Sequence, residues 1–368
     1  MRKRELKNTE WSIVIIAIIL SIIGLVALFS ATQETEHEEF YKQCIWLGIS
    51  IVVVIIVMLI DYEFLIKISP FTYGLFIILL IGVLFTKPIN GASSWFDIGG
   101  FSFQPGEFAK IFVILFLTFG MRKVQERNKQ EINRPTRLLI LLAIVGLPIL
   151  LIIKQPDYGT AAAFIVATIM MLIVGGIDKK YIIVSVILVI VSVPIIYNFI
   201  LPEHAKTRID IFLNPESDPR GAGYNIIQSK IAIGAGGLTG MGILKGNQTQ
   251  LGYLYPKTTD FIFAVIGEEM GFIVSAVVII CYVILIVKGF FIAKTSKDEA
   301  GTLIAAGITG VFLFHVVENI GMVMGLLPIT GVPLPFVSYG GSSLITNFIC
   351  IGILLNISSK RQKTIFVK

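Results

Sequence analysis

Apolar residues run in long blocks along this chain, and the polar positions gather between them. Crossing a bilayer takes about 20 mostly apolar residues in a helix. Ten blocks come near that length: 12–31, 43–60, 68–86, 106–121, 138–153, 159–176, 181–201, 261–287, 301–324 and 341–358. Pro148 and Pro194 fall inside the fifth and seventh, where a proline kink is tolerated. The first block is longer than the roughly 7–15 residues of a cleaved signal's apolar core, so it reads as a retained anchor. One further stretch, 226–244, is apolar but carries five glycines, a poor composition for an isolated helix. It is expected to lie in the interface or re-enter the membrane, within a long outside loop at 202–260. Such a long structured loop is uncommon unless it has a task.

Composition agrees with the pattern. Of 368 residues, 55% are hydrophobic and 15% charged, against roughly 25% charged in an average soluble domain. Mean hydropathy is +0.86. A single soluble domain of this size cannot hide so much apolar surface. The expected fold is an all-α integral membrane protein, one domain over 1–368, with about ten transmembrane helices. The long extracytoplasmic loop joins helices 7 and 8. Cys44, Cys281 and Cys350 are scattered through apolar runs, which argues against disulfides and structural zinc.

Charge sets the orientation. The net charge of +6 is of the sign that nucleic acid attracts, but 20 of the 30 Lys and Arg residues fall at the termini and in alternate loops. That is the positive-inside pattern, and it places both termini in the cytoplasm. Topology and anionic headgroups account for the basic excess, so no nucleic-acid partner is expected. The opposite loops carry only Lys42, Lys87 and Lys154 among the short connections, and the first, 32–42, is acidic.

Ionisable groups inside or beside spans are the informative ones. Gln104 and Pro105 open the fourth span, and Glu107 and Lys110 share one face at i,i+3. They read as a self-neutralising pair or as a site for an anionic headgroup. Lys154 and Asp157 sit in a very short outside connection, either a solvated turn or part of the same site. In the long loop stand Arg208, Asp210 and the glycine-bearing RGAGYNIIQS at 220–229. Arginine suits phosphate recognition, but the glycines match no phosphate-binding motif. Asp260, at the mouth of the eighth span, reads as a helix cap with Thr258 and Thr259, or as a general base. Glu268 and Glu269 lie about 12–14 Å further along, where carboxylates need partners, and structural hydrogen bonding is the favoured role. His315, Glu318 and Asn319 share a face of the ninth span, as a polar latch between helices or a proton relay. The stretch 328–343, with three prolines and three glycines, is expected to line a cavity wall.

Taken together, these segments resemble the SEDS family (shape, elongation, division, sporulation). The resemblance rests on GASSWFDIGGFSFQPGEFAKI at 91–111, QPDYGTA at 155–161 and GAGYNIIQSKIAIGAGGLTGMG at 221–242. It continues in TDFIFAVIGEEMGF at 259–272 and LPITGVPLPFVSYGGSSL at 327–344. GNQTQLGYL at 246–254 is similar to the RodA elongation branch. Departures include Ser94 before Trp95, Gly106 in QPGE, and Tyr255, Pro256 and Thr258 before Thr259.

The resemblance implies a ten-helix peptidoglycan glycosyltransferase that polymerises lipid II, a disaccharide–pentapeptide on undecaprenyl diphosphate. It implies that Asp260 is the essential loop aspartate and that Glu107 and Lys110 are the fourth-helix pair. Asp157, Arg208 and Lys42 would surround the central cavity. It also implies a class B penicillin-binding protein as partner. A divalent cation (Mg or Mn) beside the diphosphate is compatible with this chemistry, though no ligand spacing marks one. Two other functions fit the same residues. A lipid II flippase would depend on Glu268, Glu269, His315 and Glu318, and a scaffold for a transpeptidase on none of them.

Overall fold

A computed structural model describes residues 8–88, 92–98, 101–199, 203–218 and 223–361. The first helices are α1 (Ser12–Ala31), α2 (Glu38–Leu59) and α3 (Tyr62–Val83). A small antiparallel hairpin, β1 (Phe96–Ile98) and β2 (Phe101–Phe103), leads into α4 (Pro105–Gln125). Then follow α5 (Pro135–Ile153), α6 (Tyr158–Val174) and α7 (Lys179–Phe199). The long connection holds α8 (Glu203–Leu213), α9 (Tyr224–Ala235) and the single turn α10 (Asn247–Gln250). The bundle closes with α11 (Ile262–Thr295), α12 (Glu299–Val323) and α13 (Gly341–Ser359).

Each of the ten apolar blocks is therefore a helix. Eight are long and apolar enough to cross a membrane by length and composition alone. The other two miss for physical reasons. α4 carries Glu107, Lys110 and Arg122 within its length, and α6 has 17 residues. Both are largely buried, so their polar and small residues face protein. α12 and α13 form the centre, while α2, α3 and α5 present Ile, Leu, Val and Phe outward, as lipid-facing helices do.

Two boundaries differ from expectation. α2 starts at Glu38, so Lys42 belongs to a helix and not to the 32–42 loop. The Glu38–Lys42 ion pair at i,i+4 (2.6 Å) supports that extra turn. α3 starts at Tyr62, capped by the Asp61 carboxylate, which accepts Glu63 N–H, so Lys67 also stands in a helix. The loops expected on the basic side do meet at one end of the bundle. There Glu10 binds Lys288 (2.8 Å) and Arg361 (3.1 Å), and Arg122 binds Glu63 (2.7 Å).

At the opposite end the long connection folds onto α11 and does not run as a separate span. α11 is broken at Gly271, whose φ of 76° and ψ of −174° suit only glycine. The break leaves helix groups unpaired, and the glycine-rich 236–242 segment takes them up. Phe272 and Ile273 donate N–H groups to Gly237 and Leu238 carbonyls. Met241 and Gly242 donate to the Glu268 and Glu269 carbonyls in return. The glycines of this segment allow backbone to meet backbone, and a side chain at Gly236 or Gly240 would collide with α11.

Candidate active site

The site lies where the N-termini of α4 and α6, the last turns of α12, and the connections before α11 and α13 converge. Buried carboxylates and ammonium groups need partners, and here they have them across helices. Lys110, buried on α4, donates to Glu107 Oε1 at 2.9 Å. Its Nζ is also 3.0 Å from His315 Nε2 on α12, and His315 Nδ1 lies 3.2 Å from the Pro333 carbonyl oxygen. Among the described residues, no hydrogen bond reaches the buried Glu107 Oε2. A buried ion pair adds little stability over an apolar substitute, so a pair at this depth is a candidate for chemistry.

One turn along the same face of α12, Asn319 donates to the Asp260 carbonyl (2.9 Å) and to the Val332 carbonyl (2.8 Å). Ser338 Oγ donates to the Thr259 carbonyl (2.6 Å), and Tyr339 N–H donates to that of Thr258. The 258–260 backbone is thus stapled to the 331–339 connection. Asp260 Oδ2 lies 3.4 Å from where a Cβ on Gly331 would sit, against the glycine face of that connection. Asp260 does not cap α11: the N-cap position is Phe261, with no side-chain cap bond. The cap expected from Thr258, Thr259 and Asp260 is absent because their backbone is drawn onto the neighbouring connection instead. Thr330 Oγ1 donates to Glu318 Oε1 (2.8 Å), bringing Glu318 beside Gly331.

Gln104 and Asp157 join the same end. Gln104 Nε2 donates to Asp157 Oδ2 (3.1 Å), and Asp157 Oδ1 accepts Thr160 N–H (3.0 Å) as the N-cap of α6. Burial pushes the Asp157 carboxyl above the usual carboxylate range, and the Thr160 hydrogen bonds pull the other way. Gln104 N–H donates to Ser342 Oγ at the start of α13.

Lys42, Lys154, Glu268 and Glu269 stand apart. Lys42 is half-exposed on its ion pair with Glu38, although its neighbour Gln43 bonds the Ser338 carbonyl (3.1 Å). Lys154 is exposed at the end of α5. Arg208 lies on α8 with its side chain outside the described residues, as do residues 220–222 altogether. Glu268 and Glu269 are buried and clasped by the 246–250 turn. Glu268 accepts Gln248 N–H (2.6 Å), Thr249 N–H (2.9 Å) and Thr249 Oγ1 (2.6 Å). Glu269 Oε1 accepts Gly246 N–H (3.3 Å) and Gln250 Nε2 (2.9 Å).

Thr330, Gly331, Ser342 and Gly159 were not singled out in the sequence. The signal for Thr330, Gly331 and Ser342 was the proline- and glycine-rich stretch at 328–343, and that for Gly159 was QPDYGTA at 155–161. Among the described residues, no three His, Cys, Asp or Glu side chains gather to hold a metal ion. The arrangement offers a carboxylate on a stapled backbone, a buried ammonium on a neutral imidazole, and polar helix ends between them. It suits a substrate with an acidic headgroup and a reacting hydroxyl.

Comparison with known proteins gives the family. A family profile described as "Cell cycle protein", covering FtsW, RodA and SpoVE, matches residues 10–363. The peptidoglycan glycosyltransferase MrdB of Escherichia coli K12 is 41% identical over 296 residues, covering 80% of this chain and 78% of MrdB. The peptidoglycan glycosyltransferase RodA of Treponema pallidum is 31% identical, covering 98% and 100%. Among solved structures, a chain from "Structural coordination of polymerization and crosslinking by a peptidoglycan synthase complex" superposes with a TM-score of 0.83. It is 28% identical and covers 96% of this chain and 99% of its own. With its apolar helices, this places the protein as a multi-pass component of the bacterial cytoplasmic membrane. The match over nearly the whole chain, with relatives well above 30% identity across most of its length, makes it a member of the SEDS family of peptidoglycan glycosyltransferases.

Proposed function

We propose that this SEDS enzyme polymerises lipid II into glycan strands on the outer face of the membrane, in a RodA-like role in cell elongation and shape. The observation that carries the reading is the joint placement of Asp260 and Lys110. Both are tied to one face of α12, Asp260 through Asn319 and Lys110 through His315. In this reaction the acceptor sugar's 4-hydroxyl oxygen attacks the donor's anomeric carbon, and its proton passes to the Asp260 carboxylate. The bond from that carbon to phosphate breaks, and its electron pair leaves with undecaprenyl diphosphate. The α-linkage inverts to β. A carboxylate is a weak base, so positioning and exclusion of water are what make it effective. A fixed ammonium in a low-dielectric site stabilises the charge that develops on the leaving diphosphate. Lys110 takes that role, with Arg208 as a second cation from the loop. Gln104, Asp157 and Glu107 orient the headgroup.

A diphosphate leaving group needs little acid assistance, so the two-carboxylate scheme of glycosidases is a poor template. Both oxygens of Glu268 and one of Glu269 are bonded into the 246–250 turn, which favours a structural role over a flippase path through them. The partner that fits is a class B penicillin-binding protein with one transmembrane helix, since a structural relative comes from a complex that couples polymerisation with crosslinking.

The test is incubation of purified protein with lipid II in detergent, with a blocker of penicillin-binding-protein glycosyltransferases present. β-linked polymer and one undecaprenyl diphosphate released per linkage are expected. Absence of polymer, with lipid II translocation in vesicles, would overturn the reading in favour of transport.

A further inference from the structure

We infer that His315 is the positioning residue that aims Lys110 at the leaving diphosphate. The inference rests on the reading of Lys110 as the diphosphate's ligand. Lysine has a long stem and three equivalent donors, and one bond to a neighbour on its own helix leaves the ammonium free to swing. Glu107, at i−3 on α4, supplies such a bond. His315 supplies the second from a different helix, at 3.0 Å. Two bonds to partners on separate elements fix the Nζ position and direct its third N–H.

The chemistry of the contacts assigns the imidazole's state. A carbonyl oxygen only accepts, so Nδ1, 3.2 Å from the Pro333 oxygen, carries the proton. An ammonium only donates, so Nε2 presents its lone pair to Lys110. The ring is neutral and bridges two elements: α4, which carries the cation, and the 328–340 connection, which backs Asp260. Asn319, four residues on, ties Asp260 to that same connection through the Val332 carbonyl. One face of α12 therefore sets the spacing between base and cation. A helical face is a rigid ruler, and a misplacement of about 1 Å costs on the order of a hundredfold in rate. Both ring nitrogens of His315 are engaged, by Lys110 and by the Pro333 carbonyl, so it acts through Lys110 and has no ring nitrogen left for substrate.

The test uses the purified full chain and lipid II, with kcat and KM measured for His315→Leu, His315→Asn, His315→Gln and Lys110→Gln. His315→Leu is expected to lower kcat about tenfold to a hundredfold while KM stays within about threefold. Glutamine offers both an acceptor and a donor, so His315→Gln is expected to recover at least about a third of the wild-type rate. In the Lys110→Gln background, His315→Leu is expected to add no further loss, because residues acting as a unit are not additive. A folded His315→Leu with wild-type kcat would overturn the inference. So would losses that multiply across the double mutant. Should the leucine variant not fold, His315→Asn, polar but too short to reach Lys110, carries the same test with the same expected loss. Wild-type kcat in Lys110→Gln would instead remove Lys110 from the chemistry and, with it, the reading on which the inference rests.

Discussion

Replacing Glu268 with alanine removes the carboxylate on which the 246–250 turn hangs. That carboxylate is fully buried and accepts two backbone N–H groups, from Gln248 and Thr249, and the Thr249 hydroxyl. The hydroxyl can rotate to a new acceptor, but the amides cannot. The buried Thr249 amide left unpaired costs roughly 1–3 kcal/mol and the part-buried Gln248 amide about 1 kcal/mol, so the two together cost about 2–4 kcal/mol. The helices keep their own packing, and Gln250 still holds Ser30 and Glu269, so the loss appears as local opening and not as global unfolding. At about 1.4 kcal/mol per tenfold, amide hydrogen exchange at Gln248 and Thr249 rises at least about 30-fold. Lys257 donates to the Thr249 carbonyl (3.0 Å), so the loosening reaches the 258–260 backbone, and polymerisation falls with it. Glu269→Gln is milder, because an amide oxygen still accepts from Gly246 and Gln250. Hydrogen exchange by mass spectrometry on detergent-solubilised protein makes the measurement. Unchanged exchange at 246–250 in Glu268→Ala would refute the reasoning.

Gly159→Ala places a methyl into Val332 and against the Thr330 carbonyl, pushing the 328–340 connection off α6. A loss of about 1–3 kcal/mol in thermal unfolding is expected, with a fall in polymerisation. Gly106→Ala, by contrast, puts its Cβ 3.5 Å from a Thr160 methyl, ordinary contact, and the same melting assay should show a smaller loss than for Gly159→Ala. Gly271→Ala combines a glycine-only backbone with a collision against Gly240, and the yield of folded protein on size-exclusion chromatography should collapse. Asn319→Leu frees the Asp260 carbonyl and the Val332 carbonyl together, and kcat for lipid II should drop more than KM rises.

The ten helices were legible in the sequence because lipid imposes a single demand, about 20 apolar residues without an unsatisfied backbone. Even α4 was legible, since Glu107 and Lys110 at i,i+3 neutralise each other within one helix. What stayed hidden depends on partners distant in sequence. His315, Glu318 and Asn319 were readable as one polar face, but nothing local showed that the face meets Lys110, 205 residues away. The break at Gly271 looked like one more glycine in an apolar run. Only the approach of residues 237–240 explains it. Glu268 and Glu269 were readable as carboxylates in need of donors, and the turn that supplies them follows a segment whose glycines had suggested only poor helix. Asp260 looked like a cap by residue type. The stapling of its backbone to Ser338, Tyr339 and Asn319 decided otherwise.

Asp260 as the base in lipid II polymerisation is the central claim, and one side-by-side assay bears on it most directly. Wild type and Asp260→Ala, matched for folding by melting temperature, are given purified lipid II with the partner transpeptidase and a blocker of its companion glycosyltransferases. Long glycan strands from wild type and none from Asp260→Ala are the predicted result. Equal polymer from both would contradict it and take Asp260 out of the chemistry.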